Sequence, residues 1–263
     1  MTRRRILVSA AIVTLLCAAF LVAKDFWEKP YKEWKKGDVV KMLTNSPWAQ
    51  QQQVADVVGS QERKTPNTSP EEGKAMDIST GPASDKDRKG SGVGGEKEIA
   101  NAFTVRLFSS LPVRQAYVRM FQIANNYDEK NPSERAQMDE RLSRALRIDF
   151  SKTIMVALEF KSNTQERRTN MERYLTNLKV DQLKQSCYLI SDRIGRVTIE
   201  EYYPPSPDGS GAKFVFPREV DGKPVAAPED KELKFDFWCD AAGQRVFITF
   251  KVKNLMFDGK LEL

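Results

Sequence analysis

From residue 98 onward, apolar positions recur first at helical spacing and then at strand spacing. Residues 102–108 alternate Phe103, Val105 and Leu107 against Thr104 and Arg106, the period-two pattern of a strand. A helix is predicted over roughly 112–126, where Val113, Tyr117, Met120, Phe121 and Ala124 share one side and Arg114 and Arg119 face away. The next helix has a defined start. Asn131 can cap it, Pro132 suits its first position, and Glu134 can complete a capping box. Its apolar stripe is Met138, Leu142, Ala145 and Leu146, while Asp139 and Glu140 are expected on a solvated face. Residues 153–160 carry apolar side chains on both faces and read as a central strand.

A third helix is expected over about 164–178, with Met171, Leu175 and Leu178 in line. Strands are then predicted at 186–190, 196–202, 212–216, 232–239 and 245–252, the last two as a hairpin with its tip at 240–244. In the first arm Leu233, Phe235, Phe237 and Cys239 alternate with Lys234, Asp236 and Trp238. Helices early and strands late indicate an α+β domain over 98–263, with two to three helices packed on a mostly antiparallel sheet.

The N-terminal part reads differently. Residues 24–58 are rich in aromatics, with Trp27, Trp34 and Trp48 inside 22 residues. A short helix capped by Asp38 is expected before Pro47, and weak strand character runs over 48–58, interrupted by the glutamines 50–53. The segment is expected to pack on the body; Trp48 is assigned to folding, and Trp27 and Trp34 are divided evenly between packing and partner binding. Residues 59–97 are rich in Gly, Ser, Pro, Thr and charge and nearly empty of large apolar residues. Such a segment buries too little surface to offset its ordering entropy, so a long disordered insertion is predicted. Its Gly90-Ser91-Gly92-Val93-Gly94-Gly95 run lacks the strand and the Gly-Lys-Ser/Thr ending of a phosphate loop.

Residues 1–23 set the expected destination. Arg3, Arg4 and Arg5 precede an uncharged stretch of 18 residues, 6–23, which fits a cleaved signal peptide or an uncleaved membrane anchor. Leu21-Val22-Ala23 before Lys24 is an acceptable cleavage site, whereas Leu16 is too bulky for Cys17 to be a lipoprotein cysteine. The chain is therefore expected to be exported, periplasmic or in the cell envelope, and inner-membrane anchored through residues 6–23 if uncleaved. The formal charge is +6, and without the three leading arginines it is +3, from 39 basic and 36 acidic residues. That balance lacks the concentrated basic character of a nucleic-acid partner.

Candidate chemistry is sparse. The chain has no histidine, which removes the usual general base of Ser-His and Cys-His hydrolases and the commonest zinc ligand. No catalytic, metal or cofactor motif is found. Glu200 and Glu201 are adjacent on a predicted strand and so point to opposite faces. Tyr202 and Tyr203, before Pro204, Pro205 and Pro207, could form a rigid aromatic binding edge or simply cover the sheet end. Cys187 and Cys239 are a candidate disulfide in an oxidising compartment, or two buried thiols.

Leu43-Thr44-Asn45-Ser46-Pro47-Trp48-Ala49, with Trp27 and Trp34 upstream, resembles a group of uncharacterised exported bacterial proteins that share a Trp…Leu-Thr-x-Ser-Pro-Trp-Ala motif. Ser110-Leu111-Pro112-Val113-Arg114-Gln115-Ala116 and the closing Met256-Phe257-Asp258-Gly259-Lys260-Leu261-Glu262 are similar to the same group. The resemblance implies an envelope location and signal removal near Ala23, and no activity. Two functional readings follow. The first is a non-enzymatic envelope module that binds an unknown envelope protein or polymer or supports an assembly. The second is a histidine-independent, glycosidase-like hydrolase using carboxylates or lysine, which would need a deep pocket with two carboxylates about 5–9.5 Å apart.

Overall fold

The computed structural model describes residues 25–54, 101–206 and 209–263. The predicted signal or anchor at 1–23 and the predicted insertion at 59–97 lie outside the described residues. In chain order the main elements begin with α1 (Lys36–Thr44), β1 (Ala49–Val54), β2 (Asn101–Leu107), α2 (Leu111–Ala124) and α3 (Pro132–Leu146). They continue with β3 (Thr153–Ser162), α4 (Gln165–Asn177), α5 (Val180–Ser186), β4 (Cys187–Ser191), β5 (Gly195–Thr198), β6 (Glu201–Ser206) and β7 (Gly211–Pro217). Two short hairpins, β8 (Glu219–Val220) with β9 (Lys223–Pro224) and β12 (Met256–Phe257) with β13 (Lys260–Leu261), flank the long pair β10 (Glu232–Cys239) and β11 (Gln244–Lys251). The class is α+β with antiparallel sheets, and the described residues hold five α-helices rather than two to three. Helix α5 is hard to see in the sequence, because it buries one side chain, Leu183, and so has no repeating apolar stripe.

Two sheets, rather than one, form the core. The first runs β1-β2-β3-β7-β6 and the second β11-β10-β4-β5, every neighbouring pair antiparallel. Directly opposed residues share a face, so Leu107, Val156 and Phe214 form one inward row and Val105, Leu158 and Ala212 the next. From the second sheet Leu189, Phe235, Phe237, Val246, Ile248 and Phe250 face them, all buried. The ring of Phe214 lies 5.4 Å from that of Phe235 and 5.3 Å from that of Phe237, which places the two sheets face to face. At the start of β7 the sheet tolerates no side chain. Gly211 has φ +84°, and a Cβ there would fall 2.2 Å from the Leu158 carbonyl oxygen.

Both edges of this sandwich are joined, by different means. On one side the chain itself crosses over. The strand predicted over 196–202 is split, with β5 in the second sheet and β6 in the first; Ile199 is buried at the crossing, and the Glu200 amide donates to the Val215 carbonyl. On the other side β1 and β11 are both edge strands, and glutamine side chains link them. Gln50 and Gln52 lie opposite Val105 and Phe103, hence on the inward face of β1. The Gln52 amide donates to the Arg245 carbonyl (2.7 Å) and accepts from the Phe247 N–H (2.7 Å), while Gln50 donates to the Thr249 carbonyl (2.9 Å). A carboxamide offers the same donor and acceptor as a peptide group, so these side chains act as rungs along an otherwise open strand edge.

Helices α1 and α2 pack on each other and α1 on β1 and β2. Arginines fasten this layer. Arg106, buried, donates from Nε to the Leu43 carbonyl at the end of α1 (2.6 Å) and pairs with Glu159 of β3 (2.5 Å). Arg119 of α2 donates to the Trp34 carbonyl (2.9 Å) and forms a two-pronged pair with Asp128. Asp139, expected on a solvated face, instead accepts from Lys32, Gln122 and the Tyr127 hydroxyl, and so ties the N-terminal segment, α2 and α3 together. The α1 cap also differs from expectation. Lys35 is the cap, and Asp38 sits three residues inside, accepting from the Lys35 amide (3.0 Å).

Candidate functional site

The outward face of the second sheet carries the largest set of exposed aromatics. Alternation along β10 and β11 turns Lys234, Asp236 and Trp238, and Arg245, Phe247 and Thr249, away from the core. Strand pairing then fixes two rows. Trp238 stands opposite Arg245, and Phe247, Asp236 and Tyr188 follow one another across three strands. Trp238 is 47% exposed and Phe247 38%.

These rings are held in place by their neighbours. The Trp238 indole N–H donates to Asp240 (2.8 Å). Arg245 clamps Asp236 through two bonds (2.5 and 2.6 Å) while its guanidinium lies 4.4 Å from the Phe247 centroid. Arg196 lies 5.0 Å over the Tyr188 ring. Asp236 is only 7% exposed beneath Arg245, and its carboxylate raises the Arg245 pKa above the ordinary arginine value. The result is a preset surface of aromatic faces and guanidinium planes.

The same face continues around the edge of β11. Thr249 and Lys251 also line an open groove of about 540 Å³ between β11 and the N-terminal segment. Its other walls are Trp27, Lys41, Asn45, Ser46, Pro47, Gln50, Gln51 and Asn254. The lining holds two lysines, four side-chain amides, two hydroxyls and one indole, and no carboxylate. Trp27 is half-buried; its ring meets Trp48 edge-on at 5.9 Å and Phe26 at 5.0 Å, so packing fixes its orientation at the groove wall. Lys41 lies 5.5 Å from the Phe26 ring.

The residues singled out from the sequence lie apart. Trp27 lines the groove, but Trp34 is 1% exposed, with its N–H donating to the Lys29 carbonyl. Tyr202 faces inward against Phe214, its hydroxyl donating to the Leu175 carbonyl, and burial raises its pKa. Tyr203 points the opposite way, is exposed, and donates to Glu201 (2.5 Å), whose carboxylate raises the tyrosine pKa. Glu200 is exposed beyond the end of β5. Cys187 and Cys239 are free, buried thiols. They lie on adjacent strands, Cys187 opposite Phe237 and Cys239 two residues further along β10. Burial raises the pKa of Cys187 well above the ordinary thiol value and that of Cys239 to about 11. Trp238, Phe247, Tyr188, Arg245 and Arg196 were not singled out, although a tryptophan in the polar phase of the β10 alternation was a visible sign.

Several clefts could serve catalysis; an open one of about 510 Å³ is lined, among others, by Lys184, Arg196 and a single carboxylate, Glu200. One of about 340 Å³, between the β10–β11 turn and α4, is lined by Arg167, Asn170 and Gln244 among others and by no carboxylate. Another, of about 210 Å³, is lined by both Glu159 and Glu172. Glu159 there is already paired with Arg106 and Lys161. Among the described residues no cluster of three or more metal-ligating side chains occurs, and no helix is long and apolar enough to cross a membrane. The chain matches no family model, no curated protein and no solved structure, so its functional reading rests on this surface.

Proposed function

We propose that the protein is an exported cell-envelope module that binds its partner without catalysis, through the outward face of the second sheet and the adjoining groove. The observation that carries this reading is the pair Trp238 and Phe247, large apolar rings kept in water and fixed in orientation by Asp240 and Arg245. Exposed tryptophan and arginine are the residue types that dominate binding energy at interfaces. Prior ordering lowers the entropic cost of using them. Export is supported by the Arg3, Arg4, Arg5 leader and by the resemblance to exported bacterial proteins. Cosedimentation of the full chain with an isolated bacterial envelope fraction tests the reading. Wild-type protein should pellet with the fraction, and Trp238→Ala and Phe247→Ala should shift to the supernatant while keeping the wild-type melting temperature. Equal pelleting of all three would refute it.

A further inference from the structure

We propose that the ligand of this surface is an extended, sparsely charged acidic glycan, laid across β10 and β11 and entering the groove beside Trp27. This rests on the preceding reading of the surface as a binding site and names the ligand class. Three features select the class. The first is the spacing of flat apolar faces. Phe247 and Tyr188 stand two strands apart in one row, about 10 Å, with Asp236 between them and Arg245 and Arg196 each stacked on one of the two rings. A sugar ring presents an apolar C–H face and an equatorial rim of hydroxyls. The aromatic rings meet the first, and the Arg245 guanidinium, held in place by the buried Asp236 carboxylate, offers its remaining N–H donors to the second.

The second feature is the groove lining. Asn45, Gln51 and Asn254 supply neutral amides that can both donate to and accept from hydroxyls, Lys41 and Lys251 supply positive charge, and Trp27 supplies one more ring. The wall itself holds these two lysines and no carboxylate, which favours an anionic group on the ligand.

The third is the amount of charge. Outward side chains of the second sheet include four cations, Arg196, Lys234, Arg245 and Lys251, and two carboxylates, Glu232 and Asp236. Arg245 is matched by Asp236, and Lys234 by Glu232 at 2.9 Å. Arg196 forms no ion pair among the described residues, and Lys251 forms none either, although it stands directly across the strands from Glu232, which is paired with Lys234. A nucleic acid, with a charge at every phosphate, calls for a denser row of free cations. A glycan carrying a carboxylate on only some of its sugars matches what is present.

The test titrates the full chain calorimetrically with hyaluronan, an alternating uronic acid and N-acetylhexosamine polymer, as a soluble probe. Its methyl ester, which has the same backbone without charge, and single-stranded oligodeoxythymidylate serve as comparators. Hyaluronan should bind, the ester about tenfold more weakly, and added salt should weaken only the acidic form. Lys41→Gln with Lys251→Gln should lose about the same factor toward hyaluronan and become indifferent to esterification, whereas Lys253→Gln, outside the groove, should change nothing. Trp238→Ala should weaken both polymers. Equal affinity for acid and ester, or tighter binding of the oligonucleotide, would overturn the assignment. If neither polymer binds while Trp238→Ala still abolishes envelope cosedimentation, the glycan assignment falls and the surface reading stands. If Trp238→Ala changes neither measurement, both fall.

Discussion

Gln52→Ala tests how the sandwich is closed. The Gln52 carboxamide makes two of the three glutamine bonds that join β1 to the open edge of β11, one to the Arg245 carbonyl and one from the Phe247 N–H. A typical intramolecular hydrogen bond contributes about 1 kcal/mol net, so losing both should cost about 2 kcal/mol. The Phe247 N–H and Arg245 carbonyl lie near solvent and regain water, which keeps the figure from rising further. For a domain of this size, 2 kcal/mol lowers the melting temperature by about 4–8 °C. Gln53→Ala is the matched control, since Gln53 lies on the same strand but is exposed on the opposite face. The two substitutions change strand propensity alike, so their difference isolates the cross-sheet bonds. Thermal unfolding by circular dichroism measures the difference, and hydrogen exchange at the Phe247 amide should quicken in Gln52→Ala alone. Equal losses from Gln52→Ala and Gln53→Ala, with unchanged exchange at Phe247, would refute the argument.

Other outcomes are equally definite. Trp48 is fully buried between the rings of Trp27 and Phe257, and its indole N–H donates to the Glu262 carbonyl, so Trp48→Ala should cost about 3–5 kcal/mol in urea unfolding. The Cys239 thiol, raised by burial to about 11 from 9.0, contributes stability that is complete below about 9 and is lost as pH climbs through 11. Melting temperature should therefore fall over that interval, and less steeply in Cys239→Ala; identical slopes would contradict the assignment. Intact-mass measurement of protein from the native envelope should find Lys24 or a near neighbour as the first residue, and retention of Arg3, Arg4 and Arg5 would establish an anchor instead.

Local chemistry was partly legible in the sequence: the cap of α1 is Lys35, three residues before the expected Asp38, but other local features hold. The capping box at Asn131 forms as read, with Glu134 N–H donating to Asn131 and Asn131 N–H to Glu134. The hairpin of β10 and β11 turns at 240–243, where Gly243 adopts φ +59°. Long-range partners were not legible. The change of sheet at Ile199 leaves only a one-residue slip in the alternation, from buried Val197 and Ile199 to inward Tyr202 with Glu200 and Glu201 both exposed, and which sheet each half joins depends on distant strands. The glutamines 50–53 look like poor strand residues until β11 provides carbonyls and an N–H for them. Asp139 reads as one more helix-surface acid until Lys32, 107 residues earlier, reaches it. The candidate surface was half visible. Trp238 stands in the polar phase of its strand, but Phe247, Tyr188 and the two arginines join it only through strand pairing.

The indole N–H signals of the four tryptophans provide the most direct test of the binding surface. Trp238 lies on the exposed sheet face and Trp27 in the groove wall, whereas Trp34 and Trp48 are buried. In a titration of the full chain with soluble envelope glycan, followed by nuclear magnetic resonance, the Trp238 and Trp27 signals should shift saturably with one affinity. Those of Trp34 and Trp48 should stay in place. Saturable binding that leaves Trp238 and Trp27 unmoved would contradict the account.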